Sequence, residues 1–377
     1  MLSTWKATTA KTNTKPNSHA DFDFKTICHY TLLLKSPFAV TVVEFTHIAN
    51  PIEGIMRPKV FVSRIIPEAG LKLVREACDA EVWPDVMPPP YEVLTEKVKM
   101  VDGMLCTLND RIDAALIEAA GSQFKIFSQM AVGYDNINAK AAHARGILIG
   151  NTPGVLTDAT ADIAFALLLA AARRIVEGME YIREGKWRTW EPLALLGADL
   201  SGATLGIIGL GRIGEAVARR AKGFDMRIIA YSPSKKAEDV AKLGIELVSL
   251  DELLQQSDFV SIHVPLNDQT RGMINADALG KMKPTAILIN TARGPIVDQE
   301  ALIEAAKNGT IGGAALDVTT PEPLPSDHPL LYLPNVTVVP HIGSASQRTR
   351  DKMATMAAEN LIAGVNGQPI PNQVKPS

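Results

Sequence analysis

Three polar residues in the second half of the chain stand where short apolar runs end. Arg293 lies in Thr291-Ala292-Arg293-Gly294, after Ala286–Asn290. Glu322 lies in Asp317-Val318-Thr319-Thr320-Pro321-Glu322-Pro323, after Gly313–Val318. His341 lies in Pro340-His341-Ile342-Gly343-Ser344, after Val336–Val339. A guanidinium binds a carboxylate through a planar fork, and an imidazole gives or takes a proton near neutral pH. A carboxylate beside that imidazole fixes its orientation. Taken singly, each residue has a plain structural reading: a carbonyl cap, a solvated loop charge, a satisfied buried histidine. At one edge of one sheet, beside a redox cofactor, they form an anchor for an acid, a proton donor and the group that orients it.

The cofactor site is written in Leu205–Gly214, LGIIGLGRIG. Thr204–Ile208 reads as a buried strand and runs into the G-x-G-x-x-G of Gly209, Gly211 and Gly214, with Arg212 and Ile213 inside it. Ala216, Val217, Ala218 and Ala221 follow at helical spacing. Gly209 permits the tight turn, Gly211 lets backbone approach a pyrophosphate, and Gly214 lets helix pack on strand. The helix N-terminus then offers unpaired N–H groups to the phosphates. NAD-selective sites carry an acid about 20 residues further on. Here Ser232, Ser234, Lys235 and Lys236 follow the second strand, Arg227–Tyr231. Hydroxyls and ammonium groups suit the 2′-phosphate of NADP, so NADP(H) is the expected preference, with NAD(H) the alternative.

Elements on both sides must position these groups. From Lys59 the chain alternates strand and helix: strands at Val60–Ser63, Ala80–Trp83, Val101–Cys106 and Phe124–Met130, helices at Pro67–Ala77, Tyr91–Val98 and Arg111–Ala120. Alternation of this kind implies a parallel sheet covered on both faces. Ala131–Asn136, with Gly133, is a glycine-bearing loop after a strand; it reads equally as a ligand loop or a plain turn. Asn151-Thr152-Pro153-Gly154 breaks the pattern, and one long buried helix is expected over Asp158–Arg183. A second unit follows with six strands: Thr204–Ile208, Arg227–Tyr231, Phe259–Val264, Ala286–Asn290, Gly313–Val318 and Val336–Val339. The last helix, about Ser346–Val365, has no place in that sheet and is expected to return to the first unit. The fold class is thus α/β, with two doubly wound parallel-sheet domains.

Composition excludes several classes. The chain has 377 residues, 46% hydrophobic and 21% charged, with net charge −3. That is an ordinary globular balance, with no basic stripe for nucleic acid. The longest apolar run, Ile163–Ala172, is too short to span a bilayer. Cys28, Cys78 and Cys106 are scattered, giving neither a disulfide framework nor a metal knuckle, and no metal is expected. Residues 1–55 differ in composition and lack arginine, so they read as an extension without a folded role, with organelle targeting the alternative. A cytoplasmic protein is the resulting expectation.

Gly209–Gly214, Thr291–Gly294, Asp317–Pro323 and Pro340–Ala345 together resemble the D-isomer-specific 2-hydroxyacid dehydrogenases. Leu316–Pro325 and Pro340–Ser346 resemble most the glyoxylate/hydroxypyruvate reductase branch, and the likeness runs from about Met56 to the C-terminus. The resemblance implies a Rossmann cofactor domain at 154–343 and a flavodoxin-like substrate domain built from 56–153 and 344–377. It implies reduction of glyoxylate or hydroxypyruvate to glycolate or D-glycerate, with His341 as acid, Glu322 as its partner and Arg293 as anchor. Val132 and Gly133 would hold the substrate carboxylate, and Asp317 the nicotinamide amide. Further cofactor contacts are expected at Arg212, Ile213, Pro265, Thr291 and Gly343. Leu108 and Trp190 would line the substrate pocket. A homodimer is implied, with the Trp187–Leu195 region near the partner subunit. The rivals are 3-phosphoglycerate dehydrogenase and, outside catalysis, a dinucleotide-sensing scaffold; Glu322 argues against formate dehydrogenase, which has Gln there.

Overall fold

The computed structural model describes residues 27–36, 39–48 and 57–375. The chain divides into two compact units, Met1–Met56 and Arg57–Ser377. In the first, strands β1 (Ile27–Ser36) and β2 (Ala39–Ile48) pair antiparallel, Ile27 opposite Ile48 and Ser36 opposite Ala39. The expectation for 1–55 held no secondary structure. The β-branched run Thr41-Val42-Val43 suits extended backbone, and the short link between the strands allows them to pair. The remainder of that stretch lies outside the described residues.

The second unit holds two parallel sheets. The first is built from β3 (Lys59–Val62), β4 (Asp79–Val82), β5 (Gly103–Cys106), β6 (Ile126–Gln129) and β7 (Leu148–Gly150), in the order β4-β3-β5-β6-β7. This is the flavodoxin-like arrangement. The second contains β8 (Thr204–Ile208), β9 (Arg227–Tyr231), β10 (Glu246–Leu247), β11 (Phe259–Ile262), β12 (Ile287–Asn290), β13 (Gly313–Leu316) and β14 (Val336–Val338). Their order, β10-β9-β8-β11-β12-β13-β14, reverses between β8 and β11 as in a Rossmann sheet. Two strands of this unit were not expected. β7 and β10 have three and two residues, too few to show a period. The helix Ala139–Ala144 was also missed for its brevity.

Both sheets bury both faces. Leu205 and Ile207 of β8 pack with Phe165, Leu168 and Val217, while Ile208 turns to Leu253 and Leu254 on the opposite face. Each such side chain contributes about 1.5–3 kcal/mol on burial. The expected long helix is two: Thr157–Ala172, largely buried, and Ile175–Arg183, with no buried residue. Arg174 between them takes left-handed backbone at φ 51°. The break has a tertiary cause, because Ala198 N–H donates to Ala172 O (2.8 Å) and Gly197 packs on that carbonyl, ending the first helix. Among the described residues no helix is long and apolar enough to cross a membrane.

The last helix, Gln347–Val365, packs across the first sheet, where Ala354, Ala357 and Leu361 join Val60, Val62 and Leu105. Its closest neighbour is the helix Glu68–Ala77. A Cβ on Gly70 would stand 2.3 Å from Ala354 O, so backbone touches backbone there. Gly70→Ala is therefore expected to destabilise the protein by about 1–3 kcal/mol through overpacking, read as a lower urea midpoint. An unchanged midpoint would show that the two helices separate without cost.

Candidate functional site

The carboxyl edge of the second sheet carries the glycine turn and all three polar residues, as expected from their positions after β8, β12, β13 and β14. Gly209 adopts φ 95°, and a Cβ there would meet the His263 carbonyl at 2.8 Å. A Cβ on Gly214 would reach Gly209 O at 2.2 Å, so the helix Arg212–Lys222 packs directly on the turn. Gly211, the N-cap of that helix, is exposed, has no side-chain cap and opens onto free space. The first-turn N–H groups thus remain available to an anion. At the same sheet edge, just after β12, Thr291 Oγ1 is buried without a hydrogen-bond partner. Glycine cradle, free amides and orphaned hydroxyl all fit a dinucleotide.

Ser232 is buried, while Ser234 and Lys236 are exposed in the same turn. Lys235 N–H donates to Ser232 O (3.0 Å). The Lys235 ammonium is already engaged: Nζ lies 2.7 Å from Glu215 Oε1, in the first turn of the helix after the glycines. Sequence reading missed Glu215 because its partner is 20 positions away on another element. Pro265 is exposed at the end of β11, its carbonyl accepting from Thr270 Oγ1 (2.7 Å).

Asn290, the last residue of β12, shapes the Arg293 turn. Its Oδ1 accepts from Ala292 N–H (3.0 Å) and its Nδ2 donates to Arg293 O (2.9 Å). Arg293 then reaches across to the first sheet. Its Nε donates to Asp135 Oδ1 (3.0 Å), and its Nη2 occupies the place a Cβ on Gly133 would need, 1.8 Å away. Asn290 and Asp135 carried no signal of their own in the sequence, a strand-end amide and a loop acid. Val132, the other expected substrate residue, is half-buried, with its carbonyl accepting from Asn151 Nδ2 (2.9 Å).

His341 and Glu322 are brought together, Nδ1 against Oε1, with both side chains partly exposed. His341 has left-handed backbone, φ 52°, and its N–H donates to Asp317 O (3.0 Å). Asp317 is 2% exposed, and its carboxylate accepts from Ile342 N–H (2.6 Å) and Gly343 N–H (2.8 Å). Burial pushes its carboxyl above the ordinary range, opposed by those two amides. A Cβ on Gly343 would crowd Asp317 Oδ2 at 2.8 Å. Asp317, expected at the nicotinamide amide, and Gly343, expected among the cofactor contacts, thus also close the His341 loop on the sheet. Leu108 is half-buried, and Trp187 and Trp190 are exposed by 65% and 80%.

His263 lies behind the glycine turn, its Nε2 2.8 Å from Ser261 Oγ. Burial lowers its pKa from 6.5 to about 4. The unfolded imidazole gains a proton as pH falls below 6.5, and the folded one only near 4. Stability is therefore complete above pH 6.5 and falls through that window by ~3 kcal/mol. Urea midpoints at pH 7 and 4.5 should differ less for His263→Gln than for the native protein. An equal pH dependence would mean the native imidazole is charged as readily as in water.

The NAD binding domain of D-isomer specific 2-hydroxyacid dehydrogenases matches residues 165–343. The glyoxylate reductase of Korarchaeum cryptofilum is 54% identical over 320 residues, 85% of this chain and 96% of its own. That of Thermococcus litoralis is 51% identical over 323 residues, 85% of this chain and 97% of its own. Among solved structures, a Thermus thermophilus protein superposes with TM-score 0.79 at 46% identity, covering 84% of this chain and all of its own. An NADPH-dependent glyoxylate/hydroxypyruvate reductase of Sinorhizobium meliloti, in complex with NADP and malonate, gives TM-score 0.75 at 33% identity, covering 84% and 97%.

Proposed function

The chain belongs to the D-isomer-specific 2-hydroxyacid dehydrogenases, NAD(P)-dependent oxidoreductases, and from that premise we propose that it reduces glyoxylate and hydroxypyruvate, with NADPH the preferred donor. The observation that carries this reading is the reach of Arg293 from the second sheet over Gly133 of the first, with the His341–Glu322 pair two strand ends away. The substrate carboxylate binds the Val132 and Gly133 amides and the Arg293 guanidinium. Arg293 also polarises the carbonyl. The reduced nicotinamide, when bound, supplies hydride to the carbonyl carbon. His341, protonated, gives a proton from Nε2 to the carbonyl oxygen as negative charge grows there. Glu322, at Nδ1, holds the ring and balances the imidazolium. The glycine turn and the helix amides would hold the pyrophosphate, Asp317 the nicotinamide amide, and Thr291 and Pro265 would add further cofactor contacts.

The exposed apolar residues Ile175, Val176, Met179 and Ile182, with Trp187, Trp190 and Leu193 following, support a homodimer that covers them. The malonate held by the Sinorhizobium meliloti enzyme supports a small acid as substrate.

NADPH oxidation with glyoxylate, hydroxypyruvate, pyruvate and 3-phosphohydroxypyruvate in parallel tests the substrate reading; preference for the phosphorylated acid would overturn it. His341→Ala should lower kcat by about a hundredfold or more, with NADPH affinity unchanged. Near-native turnover would remove His341 from the chemistry. Glu322→Gln keeps an acceptor but not the charge, so its kcat should fall between the two.

The cofactor preference rests on the Ser232–Lys236 turn, which carries no acidic residue of its own. Lys235 is shared with Glu215, so a 2′-phosphate gains less from it than from a free lysine. A tenfold preference needs only ~1.4 kcal/mol of differential binding. Native kcat/KM should favour NADPH over NADH by at least about tenfold, and Ser232→Asp with Lys235→Ala should reverse the order by repulsion. Better use of NADH by the native enzyme would contradict the preference.

A further inference from the structure

The Arg293 guanidinium does not hang free over the cleft. It is held at Nε by Asp135, a residue 158 positions away in the loop after β6 of the other sheet. Of the five N–H donors of an arginine, one on Nε goes to Asp135 (3.0 Å) and one on Nη1 to Ala292 O (2.8 Å). The remaining donors are one on Nη1 and both on Nη2, and Nη2 is the atom lying over Gly133. Free rotation about the last side-chain torsions would present a different edge of the fork. The Asp135 bond selects one.

Asp135 can do this because its loop is clamped from beneath. The next residue, Asn136, donates through Nδ2 to Thr107 O (3.0 Å) and Asp110 O (2.9 Å), and its Oδ1 accepts from Gln129 Nε2 (2.8 Å). Ile112 N–H donates to Asn136 O (3.0 Å), and Ile137 N–H closes the turn on Tyr134 O (2.9 Å). The buried Asp110 carboxylate in turn holds Thr107 N–H (2.6 Å) and Ser63 Oγ (2.5 Å). The backbone carrying Asp135 is therefore anchored to the loops after β5 and β3.

The pair's side chains are 21% and 31% exposed, where solvent screens part of the attraction and limits what the ion pair adds to stability. A carboxylate beside an anion-binding arginine also repels an anionic substrate, which disfavours its presence unless it does something else. We infer that Asp135 is a positioning residue for the reduction: it aligns the Arg293 fork across the cleft so that Nη2 and the free edge of Nη1 face the substrate carboxylate and carbonyl. The inference rests on the proposed role of Arg293 as anchor and adds the residue that aims it.

The test is steady-state reduction of glyoxylate by the full chain with NADPH, for Asp135→Ala, Asp135→Asn, Arg293→Ala and the Asp135→Ala/Arg293→Ala double variant. Asp135→Ala should lower kcat/KM for glyoxylate by about 10- to 100-fold, through both a lower kcat and a higher KM, while KM for NADPH stays within about twofold. Asp135→Asn keeps an oxygen acceptor for Nε and drops the repulsive charge. It should recover kcat to within about threefold of native, with KM for glyoxylate no higher than native. The double variant should be no worse than Arg293→Ala alone, since the favourable effect of the acid runs through the arginine. Native kinetics in Asp135→Ala, equal damage in Asp135→Asn, or an additive loss in the double variant would each overturn the inference while leaving the anchor in place. Native turnover in Arg293→Ala would instead overturn the anchor reading and this inference with it.

Discussion

A single buried carboxylate holds together the part of the molecule from which the rest of the site is built. Asp317, at the end of β13, receives the N–H groups of Ile342 and Gly343, while its own carbonyl receives that of His341. Those contacts bend the chain sharply after β14 and force His341 into left-handed backbone. A left-handed non-glycine residue costs ~1–2 kcal/mol. Hydrogen bonds to a charged acceptor contribute ~1.5–3 kcal/mol each, so two of them outweigh the strain. The imidazole is thereby turned towards Glu322, and Gly343 is needed because any Cβ would press on the carboxylate.

From that fixed loop the site extends across two sheets. Asn290 sets the Arg293 turn on β12, Asp317 sets the His341 loop beyond β13, and the clamped loop after β6 receives the arginine. The charges are arranged in pairs, each with one member available to a ligand: Arg293 with Asp135, His341 with Glu322, Lys235 with Glu215. In each pair an acid fixes the direction of a donor. The same logic serves anchor, acid and cofactor turn, on the reading proposed for them.

Much of this was legible in the sequence because it is local. The strand, glycine turn and helix at 204–222 are written contiguously, and Arg293, Glu322 and His341 stand after apolar runs that became β12, β13 and β14. What escaped is what depends on contacts between distant segments. The helix break at Arg174 is made by Gly197 and Ala198 returning to Ala172, and no propensity in the apolar run announces it. Strands β7 and β10 are too short to carry a pattern and exist by pairing with a neighbour. Asp135 and Glu215 look like solvated acids until the folded chain sets a cation beside them.

Every role proposed for the site depends on where a 2-oxo acid lies between these sheets. A crystal structure of the protein with NADPH and oxamate, an unreactive mimic of such an acid, addresses this directly. The oxamate carboxylate should lie against the Val132 and Gly133 amides and Arg293 Nη2, with its carbonyl oxygen ~3 Å from His341 Nε2. A carboxylate bound away from Gly133, or an imidazole turned from the ligand, would contradict it.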